Sequence, residues 1–259
     1  MSAFASAEDT WRQRLRMLPN TVRQELVTRE LQENIVPAPA RVLDVGCGQG
    51  TQALRLAELG YDVVGVDHSS AMLSDFERAL AGHSKGVRRR VRLIEADAIC
   101  LPRDVTAQGR FDVILCHGVL MYLPAPGPAL AEMSQVLTPN GNLSLLVRNA
   151  DALAMHPGLK GDWRAAREAL GETGYTNRVG VEARADRISD LTLEVERVGL
   201  SAKHWYGVLT FAEYAAMESA VPGADQFAEI VACEQQAGRT DPYRRIAAML
   251  HVIAGPSLP

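Results

Sequence analysis

The chain is predicted to be an α/β protein built on a doubly wound, mainly parallel seven-stranded sheet. Three observations lead there. Short β-branched or leucine-rich runs alternate with helical segments, the runs are apolar throughout as strands buried on both faces are, and a glycine-rich turn follows the first of them. The 259 residues, 47% hydrophobic and 22% charged, suffice for one large domain with a substantial core.

The strand runs fall at 41–45, 62–67, 91–95, 111–116, 142–147, 202–208 and 249–253. Helical spacing marks 51–59, 70–81, 127–137 and 191–199, the third closed by Pro139, Asn140 and Gly141. Ahead of them, Leu15, Leu18, Val22, Leu26 and Leu31 recur at helical steps with a break at Pro19, which predicts N-terminal helices over 10–34. After the fifth strand, 149–177 turns polar and helix-rich and interrupts the rhythm, as a substrate-covering insertion does. The stretch 211–238 reads as helix, and 249–253 reads as an edge strand.

Composition excludes several classes. A net charge of −4 denies the chain a globally basic footprint for nucleic acid, and the run Arg88, Arg89, Arg90, Arg92 reads as a solvated loop edge. Cys47, Cys100, Cys116 and Cys233 stand far apart with no C-x-x-C pair, so reduced thiols are expected, with no metal site and no disulfide framework. No apolar run is long enough to span a bilayer, and Ser2, Glu8, Asp9, Arg12 and Arg14 do not lay out a signal peptide. A cytoplasmic protein without membrane contact is expected.

The strongest signal is Val42-Leu43-Asp44-Val45-Gly46-Cys47-Gly48-Gln49-Gly50, a strand running into a glycine turn that opens a helix. Asp67 ends the next strand, where its carboxylate can accept both ribose hydroxyls of a nucleoside. The glycine spacing is G-x-G-x-G, which departs from the G-x-G-x-x-G of dinucleotide sites, and Asp44 suits a cationic amino group and would repel a pyrophosphate. Asp97 ends the third strand and can accept from an adenine amine, while Ala98 offers its backbone N–H to the ring. His117 follows the fourth strand, so all these positions lie at strand carboxyl ends, where open α/β sheets bind ligands.

As a set, VLDVGCGQG, VDHSSAML, EADA, FDVILCHGVLMYL and LTPNGNLSLLV resemble the successive motifs of class I S-adenosylmethionine-dependent methyltransferases over roughly residues 40–147. The resemblance implies a Rossmann-like fold, S-adenosyl-L-methionine as methyl donor, an N-terminal helical cap at 1–36, and a methyltransferase domain at 37–259 with its insertion at about 149–188. It implies donor contacts from Asp44, Gly46, Cys47, Gly48, Gly50, Asp67, His68, Met72, Asp97, Ala98 and His117. The flanks Val22-Arg23-Gln24, Asn149-Ala150, Met155-His156, Asp241-Pro242-Tyr243 and His251-Val252 are similar to the bacterial tRNA 5-carboxymethoxyuridine methyltransferases, which convert the wobble-uridine carboxylate to its methyl ester. That similarity implies Arg23 at the donor carboxylate. Cys47 stands where that family has glycine, and residues 171–182, where it implies a lysine-rich stretch, hold a single basic residue, Arg178.

Methyl transfer from a sulfonium is a direct displacement that asks the protein mainly to align the partners and exclude water. A carboxylate acceptor needs a positioning cation, for which Arg148, Arg184 and Arg187 are candidates. A hydroxyl or amine acceptor would use a base, His117 or His156. Tyr122, Arg148, Asn149 and Arg184 are the candidate substrate contacts. Of the other aromatics, Tyr175 is a candidate pocket wall, and Trp163 and Trp205 read more simply as core or lid packing. The expected partner is a small-molecule acceptor or tRNA, and the expected state a monomer or homodimer. The competing classes are a nicotinamide-dependent oxidoreductase, disfavoured by the glycine spacing and the lack of a Tyr-x-x-x-Lys pair, and a non-catalytic donor-binding partner protein.

Overall fold

The computed structural model describes residues 17–102, 105, 109–177, 180–214 and 220–257. The first helix, α1 (Leu18–Asn34), buries Val22, Leu26, Val27 and Leu31 and has Pro19 in its first turn, where a missing N–H is harmless. The part of the predicted leading helix at 10–16 lies outside the described residues.

The elements then run β1 (Arg41–Val45), α2 (Thr51–Glu58), β2 (Asp62–Asp67), α3 (Ser70–Ala81), α4 (Lys85–Arg89), β3 (Val91–Glu95), β4 (Phe111–His117), α5 (Gly127–Val136) and β5 (Leu137–Arg148). After β5 come α6 (Met155–Leu159), α7 (Trp163–Ala169), β6 (Gly174–Thr176), β7 (Glu182–Arg184), α8 (Ile188–Arg197), β8 (Leu200–Val208), α9 (Ala224–Ala237) and β9 (Met249–Pro256). The strands of the main sheet are ordered β3-β2-β1-β4-β5-β9-β8. β1 pairs in parallel with β2 (Val42 opposite Val63) and with β4 (Val42 opposite Val113), and β2 pairs in parallel with β3. The order reverses on either side of β1, so the carboxyl ends of β1 and β4 diverge into a ligand-binding crevice.

Two compact units divide the chain. One holds Glu30–Leu145, Thr192–His204 and the segment from Val252, and the other holds the chain up to Arg29, Leu146–Leu191 and Trp205–His251. In the first, Val42, Leu43, Val45, Phe111, Val113, Ile114 and Leu115 are all buried, because strands covered by helices on both faces need apolar residues at every position. The α2 helix adds Leu54 and Leu56, and α3 adds Met72, Leu73 and Phe76. In the second, Ala150, Leu153 and Ala185 form a small core with Ala169 and Tyr175 packed against it.

Five expectations are corrected. The turn at Pro139–Gly141 is absorbed into β5, with Pro139 and Asn140 on its exposed outer end, where a proline without an N–H is tolerated. The polar segment after β5 holds two short helices but ends in an antiparallel hairpin, Tyr175 opposite Ala183, whose three-residue strands are too short to register as alternation. Among the described residues of 211–238 only Ala224–Ala237 is helical, and Phe211–Tyr214 is a turn. The apolar run at 249–253 belongs to a strand between β5 and β8, so β8 is the edge; β9 is buried along nearly its whole length, whereas β8 exposes Lys203 and His204. Trp163 is 74% exposed and so is not core packing.

Among the described residues no helix is long and apolar enough to cross a membrane, and no group of three or more His, Cys, Asp or Glu is placed to hold a metal ion. All four cysteines are free.

The turn before α9 is made by one buried carboxylate. Glu234, 1% exposed, accepts the backbone N–H groups of Thr210 at 2.7 Å, Phe211 at 2.8 Å and Ala212. Glu234→Ala leaves three N–H groups without an acceptor and is expected to lower unfolding stability by roughly 3–5 kcal/mol, with Glu234→Gln losing less. Urea unfolding checks this, and midpoints equal to the parent's would show that the carboxylate does not hold the turn.

Candidate active site

The turn after β1 is tied to the strand beside it. Gly46 and Cys47 both donate their N–H groups to Val66 O, at 2.7 and 3.0 Å. Gly46 and Gly50 lie at φ 73° and 81°, and a Cβ would come within 2.1 Å of Val119 at the first and 2.3 Å of the Phe76 ring at the second. Glycine is therefore required at both by conformation and by space. Asp67 completes the tie: one carboxylate oxygen accepts Gly48 N–H at 2.8 Å and the other accepts Ser69 N–H at 2.9 Å. Ser69 in turn caps α3 by accepting Met72 N–H. The structure thus gathers Asp44, Gly46, Cys47, Gly48, Gly50 and Asp67 at the carboxyl ends of β1 and β2.

Asp44 is 3% exposed. Burial, reinforced by the neighbouring Asp67 charge, raises its pKa from the usual carboxylate range to about 7. Cys47 is buried beside them, and burial together with the two carboxylates pushes its thiol pKa well up, so it stays protonated. Its side chain has room because position 65 on β2 is glycine: a Cβ there would sit 3.0 Å from Cys47 Sγ. Gly65 was not singled out from the sequence, although its place in an otherwise valine-rich strand was a signal.

The remaining donor candidates divide by environment. Met72 is buried and His68 is exposed, its Nδ1 3.5 Å from Asp67. Asp97 is exposed and accepts Ile99 N–H at 3.1 Å, while Ala98 is buried. His117 ends β4 with Nε2 2.8 Å from the hydroxyl of the fully buried Ser144 on β5. Tyr122 lies half-buried in a 3₁₀ turn, Leu120–Tyr122.

Arg23, Arg148, Asn149, His156 and Arg184 belong to the other unit. Arg23 is half-buried on α1. Arg148, at the carboxyl end of β5, donates from Nη1 to Glu213 at 2.8 Å and lies 5.8 Å from the Tyr175 ring centroid. Burial alone would lower the Arg148 pKa, but the Glu213 carboxylate more than reverses this and keeps the guanidinium charged. Among the described residues its buried Nε has no hydrogen-bond partner. Tyr214, beside Glu213, stacks on His156 at 6.4 Å. Arg184 pairs with Asp186 at 3.1 Å, and Arg187 donates to Gly171 O and approaches Asp151.

Asn149 is buried and bonded to the backbone around it. Its amide nitrogen donates to Arg245 O and Ala247 O at 2.9 and 2.8 Å, and its oxygen accepts Asp151 N–H. Glu213 and Tyr214 were missed in the sequence because 211–238 read as continuous helix.

An acid whose pKa is higher folded than unfolded favours folding while protonated. The Asp44 contribution is therefore complete below about pH 4 and is lost as pH rises through about 7. Stability should fall across that window by up to roughly 4 kcal/mol, and Asp44→Asn should remove most of the slope. Unfolding midpoints measured at half-unit pH steps check it; equal slopes in parent and variant would reject the buried-acid account.

The methyltransferase-domain family profile matches residues 38–210. A tRNA 5-carboxymethoxyuridine methyltransferase of Escherichia coli O157:H7 is 28% identical over 241 residues, covering 90% of this chain and 87% of that protein. A ubiquinone biosynthesis O-methyltransferase of Xanthomonas axonopodis pv. citri is 32% identical over 132 residues, half of each chain. The glycopeptide N-methyltransferase MtfA, solved with (S)-adenosyl-L-methionine, shares the fold with a TM-score of 0.58 and 17% identity, over 91% of this chain and 94% of that one. With that profile spanning most of the sheet and including the glycine turn, this chain belongs to the methyltransferase-domain family and is an S-adenosylmethionine-dependent methyltransferase.

Proposed function

We propose that the chain methylates a carboxylate oxygen on a modified uridine of tRNA. Two things support this reading: the similarity to the tRNA 5-carboxymethoxyuridine methyltransferase along nearly the whole chain, and the state of Arg148. The second carries it. A guanidinium held charged by Glu213 through Nη1 keeps its Nε side for another acceptor, and a carboxylate matches that edge in shape and charge.

The donor brings a methyl group already activated on a sulfonium. The residues after β1 and β2 fit it: Asp67 uses one lone pair on each oxygen to hold the backbone and keeps others for ribose hydroxyls. Asp44 faces the donor ammonium, whose positive charge stabilises the ionised carboxylate. Gly48, with no protein atom within 4 Å of where a Cβ would stand, admits the donor to the backbone. Asp97 and Ala98 N–H receive the adenine, and Met72 walls it. His68, Cys47 and Tyr122 complete the surroundings. A carboxylate acceptor is ionised near neutral pH, so no base is needed. His117, with Nε2 on Ser144, then serves as a positioned wall. His156 and Arg184 orient the acceptor side through Tyr214 and Asp186.

Methyl-labelled donor offered with total tRNA and with a small-metabolite fraction separates the acceptors. Label should enter tRNA and be released by mild alkali, as a methyl ester is; label only in the metabolite fraction overturns the tRNA reading. Asp67→Ala should weaken donor affinity by one to two orders of magnitude, roughly 1–3 kcal/mol. Arg148→Ala should lower acceptor kcat/KM by about a hundredfold with donor affinity within about twofold of the parent. An unchanged acceptor KM and kcat in that variant would remove Arg148 from the site.

A further inference from the structure

The polyanion surface demanded by a tRNA acceptor is not supplied by net charge, which is −4. We infer that Arg239, Arg244 and Arg245, with Trp205, Phe211 and Tyr243, form a surface that receives the backbone and an unstacked base of a single-stranded RNA loop. The inference rests on the tRNA reading above and adds where the RNA is held.

Charge points there first. Between Gly238 and Ala248 the chain carries three arginines and one carboxylate, Asp241, a local excess of positive charge in an acidic sequence. Asp241 accepts from Arg244 Nε at 2.7 Å and reaches Arg245 only at 3.4 Å, so it does not neutralise both. Its own pKa is lowered by these arginines, the Arg244 hydrogen bond first, so it stays ionised and orients them.

Ring placement points there next. The Arg244 guanidinium lies 4.1 Å over the Trp205 ring and Arg245 5.9 Å from it, and Arg239 lies 5.2 Å over Tyr206. Stacking uses the face of a guanidinium and leaves its in-plane N–H groups for oxygen acceptors. Beside them Phe211 and Tyr243 are each 47% exposed, their ring centroids 6.1 Å apart. Exposed rings beside arginines make a stacking platform with phosphate donors, the combination that single-stranded nucleic acids use. A duplex hides its base faces and would gain only the charge.

The surface is also built rigidly. Gly207 N–H donates to Gly238 O at 2.8 Å, and a Cβ on Gly207 would stand 2.6 Å from Arg244 O, so this glycine lets β8 approach the arginine turn. The amide of Asn149 holds the carbonyls of Arg245 and Ala247 from below, and Glu234 fixes the backbone of Phe211. The side chains are thus presented on a backbone with little freedom left to lose on binding.

The test uses the full chain and a labelled tRNA anticodon stem-loop, with a blunt RNA duplex and polyglutamate as controls, across a salt series. The parent should prefer the stem-loop to the duplex. Arg245→Ala should weaken stem-loop binding several-fold and reduce the salt slope by roughly 0.7–0.9, as for one lost phosphate contact. Tyr243→Ala should weaken it roughly fivefold or more with the slope unchanged. Donor affinity within about twofold of the parent in both variants confirms that each is folded. Stem-loop affinities equal to the parent's overturn the surface while leaving the tRNA reading intact. Equal binding of stem-loop and duplex, or equal competition by polyglutamate, overturns base stacking in favour of an acidic protein partner. A parent that binds donor but no RNA at low salt overturns both the surface and the tRNA reading.

Discussion

The carboxylate of Asp67 joins the two turns at the carboxyl ends of β1 and β2. By accepting Gly48 N–H with one oxygen and Ser69 N–H with the other, it clamps the turn that follows β1 to the turn that follows β2. The first turn has glycines at positive φ, and the second releases its chain directly into α3. A buried anion accepting two backbone dipoles is a strong restraint because water cannot compete for it. Burial is the larger cause of the raised proton affinities of Asp44 and Cys47, and the Asp67 charge adds to it at both.

Much of this was legible in the residues, and the reasons are local. Parallel strands covered on both faces are uniformly apolar, so β1 to β4 announce themselves as short hydrophobic runs; a turn that admits no Cβ announces itself as glycine. Asp44 and Asp67 stand at fixed offsets from those runs, and their register follows. The acceptor-side residues did not show in this way. Glu213 meets Arg148 across 65 positions of chain, and neither residue carries a local pattern that names the other. Glu234 hid for a related reason: a glutamate in a helix looks like a solvated side chain until its helix is docked, when it becomes the cap of a turn formed 22 residues or more earlier. The reading of 211–238 as one helix failed on that contact, and the reading of β9 as an edge failed because strand order is set by the whole sheet.

The two units treat buried charge differently. In the one containing the glycine turn, Asp44 is buried close to Asp67, and burial with that neighbouring charge disfavours its ionisation. In the other, Arg148 and Glu213 satisfy one another's charge, and what is left over is directional hydrogen-bonding capacity on the guanidinium.

The position of β9 bears on how the protein is made. β8 is the edge of the main sheet and its only neighbour is β9, which the ribosome produces some forty residues later. While that stretch is being synthesised, β8 has no strand to join and β5 presents an open flank. The nascent chain must therefore keep β5 and β8 apart from strangers, and the exposed Lys203 and His204 on β8 are the kind of polar side chains that discourage pairing with other molecules. Closure of the sheet is a late, long-range event, and chaperone dependence is to be sought in that interval.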